Sequence, residues 1–167
     1  MAAIQVDPEV LKGLAGKVVI ITGAANGIGK TAARLFYGWL FQYPSATQDT
    51  STSFLIPSTE YGASVTIADL DVQGGKFLAA EFGRLVFTLS PFRGHFVRAD
   101  IGSWASQEAL FSSTFEKFGS VDCVVANAAM PEKSDFLWED EHDENGRLKE
   151  PNLTLIDVNI KGTLFSQ

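Results

Sequence analysis

Four short apolar runs recur along the chain, at 17–22, 64–69, 95–99 and 121–127. Each is rich in Val and Ile or nearly continuous in hydrophobicity, which predicts parallel strands covered on both faces. The stretches between them read as helices. One opens at 30–36 behind a glycine-rich turn, a shorter one covers 75–82, and a last one covers 153–165. Ser103 is placed to cap another, in which Trp104, Phe111, Phe115 and Phe118 share one face and Gly119 marks the end. Strand and helix in alternation predict an α/β fold: a Rossmann-like, doubly wound parallel sheet with right-handed crossovers, about four strands in one domain over 1–167.

Two stretches break this rhythm. Residues 37–59 mix aromatics with Ser, Thr and Pro and carry a single charge, Asp49. Residues 84–93 are wedged between Gly83 and Gly94 and include the uncharged, β-prone run 85–89. Excising either one restores a regular unit, with Phe36 leading into Glu60-Tyr61-Gly62. Long structureless loops are uncommon inside compact domains. Two readings stand: genuine surface insertions, or retained non-coding sequence.

A chain of 167 residues with 46% apolar content suits one domain with a real core. The net charge of −7 argues against an electrostatic nucleic-acid surface. Cys123 is the only cysteine, so no internal disulfide forms, and its apolar surroundings predict a buried side chain. No apolar run approaches the roughly 20 residues of a membrane span, and the N-terminus lacks a signal-peptide layout. The expectation is a cytoplasmic protein with no membrane and no nucleic-acid partner. The acidic tract 132–151 lacks the alternate oxygen spacing of a calcium loop, so it and His142 read as solvated, with no metal site expected.

Candidate chemistry concentrates where strands end. The first strand breaks into Thr22-Gly23-Ala24-Ala25-Asn26-Gly27-Ile28-Gly29 and then a helix. Glycines let backbone approach an anion, and a helix N-terminus contributes about half a positive charge, so this is a phosphate cradle. Asp69 closes the second strand, where a carboxylate accepts the hydroxyls of an adenosine ribose and repels a 2′-phosphate. It stands 40 residues past Gly29, against the usual spacing of about 20, and the 37–59 segment accounts for the excess. Asp100-Ile101 ends the third strand and Asn127-Ala128-Ala129 the fourth. A rival remains: Ala24 to Thr31 nearly fits the phosphate loop of kinases and ATPases, with Ala in place of its first Gly.

These features together resemble the short-chain dehydrogenase/reductase family in its compact form. Thr22 to Gly29 is similar to the family's TGxxxGxG turn, Asp69 to its cofactor-selecting acid, and Asp100 to the aspartate beside the adenine. Asn127-Ala128-Ala129 resembles its NAG segment, with Ala for the last Gly. Asp157-Val158-Asn159-Ile160-Lys161-Gly162 resembles the helix that carries its active-site asparagine. The resemblance implies a cofactor site at Thr22, Gly23, Asn26, Gly27, Ile28, Gly29, Asp69, Leu70, Asp100, Ile101, Asn127, Ala128 and Ala129. It implies Asn159 as the catalytic position, bending its helix and holding a water of a proton relay. The cofactor implied is NAD, preferred over NADP because of Asp69. The substrate implied is a small alcohol or ketone, and the complete protein is expected to be a homo-oligomer.

The family's catalytic serine and Tyr-x-x-x-Lys pair have no counterpart. Four residues after Tyr37, Tyr43 and Tyr61 stand Phe41, Thr47 and Val65. The expectation is a chain ending before its catalytic half, with 121–127 left as an apolar sheet edge. Two functions follow: a hydride-transferring oxidoreductase, or a dinucleotide-binding fragment without turnover, including a mis-spliced product.

Overall fold

The computed structural model describes residues 12–42, 54–57, 62–84, 94–131, 142–149 and 152–166. After a 3₁₀ turn at Lys12–Leu14 come β1 (Val18–Thr22), α1 (Gly27–Tyr37), β2 (Trp39–Gln42) and β3 (Phe54–Pro57). They are followed by β4 (Ser64–Asp69), α2 (Val72–Arg84), β5 (Gly94–Arg98), α3 (Trp104–Phe118) and β6 (Cys123–Val125). The last helix, α4, runs through Thr154–Ile156, a π-helical segment Asp157–Gly162, and Thr163–Phe165. Four strands form one parallel sheet in the order β5-β4-β1-β6. The expected doubly wound α/β sheet is present.

Chain direction reverses its lateral walk at β1, which lies between β4 and β6, and all five of its residues are buried. Alternate residues of β1 serve two different cores. Val19 and Ile21 face α1 and α2, where Ala33, Tyr37, Leu78 and Phe82 pack. Ile20 faces α3, where Leu110 packs with Ala68 and Ala99. Both faces being covered explains why the strand reads as a continuous apolar run. An Arg34–Glu81 pair ties α1 to α2 through two bonds of 2.9 Å.

Strands β1 and β6 are also fastened by side chains at both ends. At the start, the Asp122 carboxylate accepts the Val18 amide at 2.8 Å and the Lys17 ammonium at 3.2 Å. Those two bonds, the backbone one first, hold its carboxyl below the usual range. At the far end, Thr22 and Asn127 bond each other, as described below.

Several expectations need correction. Helix α2 begins at Val72, three residues early, because Asp71 Oδ1 accepts the Gln73 and Gly74 amides and caps it. Strand β6 is limited to Cys123–Val125. Cys123 is exposed, since β6 is the edge of the sheet among the described residues. On α3 the Ser103 cap and Gly119 terminus hold. However, the face turned inward carries Gln107, Leu110 and Thr114, while Trp104 and Phe115 are about 60% exposed. The Thr114 hydroxyl meets Thr66 Oγ1 at 3.2 Å and donates to the Leu110 carbonyl, so burial costs it no bond.

Tyr37 belongs to the core and not to the segment assigned to 37–59. Its ring stacks on Phe82 at 4.2 Å and its hydroxyl donates to the Phe82 carbonyl. Within that segment β2 and β3 pair antiparallel, and residues 43–53 and 58–59 lie outside the described residues. Residues 85–93 lie outside them as well. Among the described residues, no helix is long and apolar enough to cross a membrane.

On β5, His95 is partly buried, with Nε2 2.9 Å from Ser113 Oγ. Burial, then the Lys117 charge, pushes its pKa below the ordinary 6.5. The unfolded chain therefore binds a proton that the folded chain refuses as pH falls through that range. We expect stability to decline between pH 7 and pH 5.5, and His95→Gln to flatten that part of the profile. Urea midpoints at four pH values check this; an unchanged slope in the variant would count against it.

Candidate functional site

The carboxyl ends of β1, β4, β5 and β6 open onto a cleft of about 370 Å³. Parallel strands all deliver their ends to one side, and the break in strand order at β1 leaves room between the following turns. Of the expected cofactor residues, Gly23, Asn26, Ile28, Gly29, Asp69, Leu70, Asp100, Ile101, Asn127, Ala128 and Ala129 line it. Thr22 and Gly27 are not in the lining, and neither is Asn159, although its neighbour Val158 is.

Thr22 is buried and works from behind. Its Oγ1 accepts the amides of Asn127 and Ala128, each at 3.1 Å. In return Asn127 Nδ2 donates to the carbonyls of Thr22 at 2.9 Å and Gly23 at 3.2 Å. This reciprocal set fixes the turn after β1 against the turn after β6.

The glycines divide their work. A methyl at Gly29 would lie 2.2 Å from the Gly23 oxygen and 2.5 Å from Asn127 Nδ2. One at Gly23 would lie 2.7 Å from the Ala128 Cα. These two glycines also make room for protein against protein, a role the expected anion cradle did not include. Only Gly27, at φ +54°, faces open space. Helix α1 starts there, and Lys30 is its first amide to bond back, to the Asn26 carbonyl. The amides of Gly27, Ile28 and Gly29 take no hydrogen-bond partner among the described residues, and Asn26 makes no side-chain cap. Three unpaired donors at a positive helix end fit a diphosphate.

Asp69 sits across from this turn. Its Oδ2 accepts the Ala25 amide and its Oδ1 the Asp71 amide, each at 2.9 Å. A carboxylate oxygen accepts two bonds, so each keeps capacity for a hydroxyl. Asp100 Oδ1 accepts the Gly102 amide at 3.0 Å, and its own amide donates to Ser106 Oγ. Asn159 reaches the cleft through Met130: its Oδ1 accepts the Met130 amide at 2.8 Å and its Nδ2 donates to the Met130 carbonyl at 3.0 Å. It stands inside the π-helical segment of α4, so the helix departs from α geometry where the bend was expected.

The sequence missed Ala68, Ala99, Met130 and Val158 in the lining. Ala68 and Ala99 had a signal, a small residue directly before each strand-ending aspartate. Met130 had none, because its backbone makes the contact. Lys30, the key residue of the phosphate-loop rival, is not in the lining; its ammonium lies 5.9 Å above the Phe77 ring. In the acidic tract, Asp143 Oδ1 accepts the Asn145 and Arg147 amides and closes a turn, and residues 132–141 lie outside the described residues. Among the described residues no three His, Cys, Asp or Glu side chains are placed to hold a metal.

The model of the short chain dehydrogenase family matches residues 57–166. The chain belongs to this family. It is 32% identical over 165 residues to the short-chain dehydrogenase/reductase prx4 of Penicillium roqueforti, covering 99% of this chain and 38% of that protein. It is 36% identical over 114 residues to the L-fucose dehydrogenase of Oryctolagus cuniculus, covering 68% of this chain and 29% of that one. A crystal structure of the 3-ketoacyl-(acyl-carrier-protein) reductase from Brucella melitensis, complexed with NADH, is 27% identical with a TM-score of 0.59. It is matched over 90% of this chain and 47% of its own. The chain thus spans less than half the length of these relatives.

Gly29→Ala should cost about 2 kcal/mol by overpacking against backbone, outweighing the gain of up to about 1 kcal/mol in helix propensity. Chemical denaturation checks this, and a variant as stable as the parent would contradict the packing role of Gly29.

Proposed function

We propose that this chain is the NAD-binding part of an oxidoreductase that moves hydride between NAD and a secondary alcohol or ketone. The observation that carries this reading is the pairing of the unpaired amide end of α1, whose Ile28 and Gly29 line the cleft, with the Asp69 carboxylate in the same cleft. The amides of Gly27, Ile28 and Gly29 would hold the diphosphate, and Asp69 the adenosine ribose. Leu70, Asp100 and Ile101 would border the adenine, and Asn127, Ala128 and Ala129 would leave space for the nicotinamide ribose. Fixed by two backbone amides, the Asp69 charge would meet a 2′-phosphate with repulsion, which favours NAD over NADP. The nicotinamide, when bound, supplies the hydride acceptor. Asn159 would stand beside the reacting end, held by the Met130 peptide, and order a water of the proton path.

A specific observation limits what the chain does by itself. No tyrosine here precedes a lysine by four residues, so the Tyr-x-x-x-Lys proton donor of the family is not found in this sequence. We propose that these 167 residues bind the dinucleotide, with a small alcohol or ketone as the substrate, a homo-oligomer as the assembly and the cytoplasm as its place.

Fluorescence titration should show saturable NADH binding, at least about tenfold tighter than NADPH, which corresponds to about 1.4 kcal/mol. Asp69→Ser should narrow that ratio to near unity. Equal affinity of the parent chain for both cofactors would defeat the NAD preference. Absence of saturable binding would defeat the dinucleotide reading altogether.

A further inference from the structure

Gln107 lies buried on α3, and both ends of its amide find partners. Nε2 donates to the Ile101 carbonyl at 2.6 Å and to the Gly162 carbonyl at 2.8 Å. The buried Ser166 Oγ lies 3.0 Å from Oε1 and 3.1 Å from the Gly162 carbonyl, and its one proton is shared between these two acceptors. These partners belong to two separate parts of the molecule. Ile101 is a wall of the cleft, and Gly162 closes the π-helical segment that carries Val158 and Asn159. A methyl on Gly162 would lie 2.9 Å from the Ile101 oxygen, so the helix backbone rests directly on that wall.

An apolar side chain of similar volume would fill this space without the cost of burying an amide. The glutamine instead fixes a relative position, since two carbonyls on one Nε2 leave α4 no freedom to slide against Ile101. A slide of one residue, about 1.5 Å, would carry Asn159 off the Met130 peptide. We propose that Gln107 is a positioning residue, which seats the π-helical segment on the cleft wall and thereby sets where Asn159 meets Met130. This deepens the functional reading above and rests on it for the meaning of Asn159's place.

The Met130 amide, bonded to Asn159 Oδ1, reports that placement by hydrogen exchange. In Gln107→Met its protection should fall about fivefold, the worth of one hydrogen bond, while β1 amides stay within about twofold. Unchanged protection at Met130 overturns the proposal. A loss spread evenly over β1 and β4 also overturns it, since a purely structural role predicts that. Where Gln107→Met does not fold, Ser166→Ala decides. It removes the hydroxyl shared between the Gln107 amide oxygen and the Gly162 carbonyl, both part of the same seat, and an expected loss of about twofold at Met130 supports the proposal, while none overturns it. Failure of the parent chain to bind NADH defeats the functional reading and leaves the exchange result to judge Gln107.

Discussion

The reciprocal bonding of Thr22 and Asn127 is the constraint on which the rest depends. Backbone pairing between β1 and β6 covers only Val19 to Ile21 against Cys123 to Val125. Three residues on an edge do not hold two turns in register. Side chains finish the work: Asp122 takes the Val18 amide at one end, and Thr22 with Asn127 close the other. The glycine turn, the Ala128 backbone and the start of α1 are all referenced to that closure. Gly29 is bare because the Gly23 carbonyl and the Asn127 amide already occupy the space its methyl would need.

Much of this was legible in the chain because its chemistry is local. A turn needing positive φ, an acid closing an apolar run, and a serine ahead of a helix each announce themselves within a few residues. Asp69 stands out as an acid closing an apolar run 40 residues past Gly29, and its bond to the Ala25 amide sets it beside the glycine turn. The resemblance of Thr22 to Gly29, Asp69 and Asn159 to one family was enough to name it.

What stayed hidden depends on neighbours in space. Four aromatics on α3 do share a face, yet the sheet takes the adjoining face, where Gln107 and Thr114 find partners on Gly162 and Thr66. Periodicity locates a stripe, but only hydrogen-bond partners decide whether a polar residue can lie beneath it. Tyr37 looked like the first residue of a foreign segment because composition changes there. Its ring, stacked on Phe82, shows that the helix ends one residue later than composition implied. Cys123 looked interior because its strand is apolar, whereas its exposure follows from edge position.

The point where α1 hands over to β4 has a wider meaning. The Ala63 amide donates to the Phe36 carbonyl at 2.9 Å, so the last turn of α1 and the entry to β4 are joined by one hydrogen bond. A connection pinned at both ends in this way is closed by the domain itself, whatever its length. The entropy of closing such a loop grows only as the logarithm of its length. Residues added to that connection cost the sheet, the turn and the cleft little closure entropy.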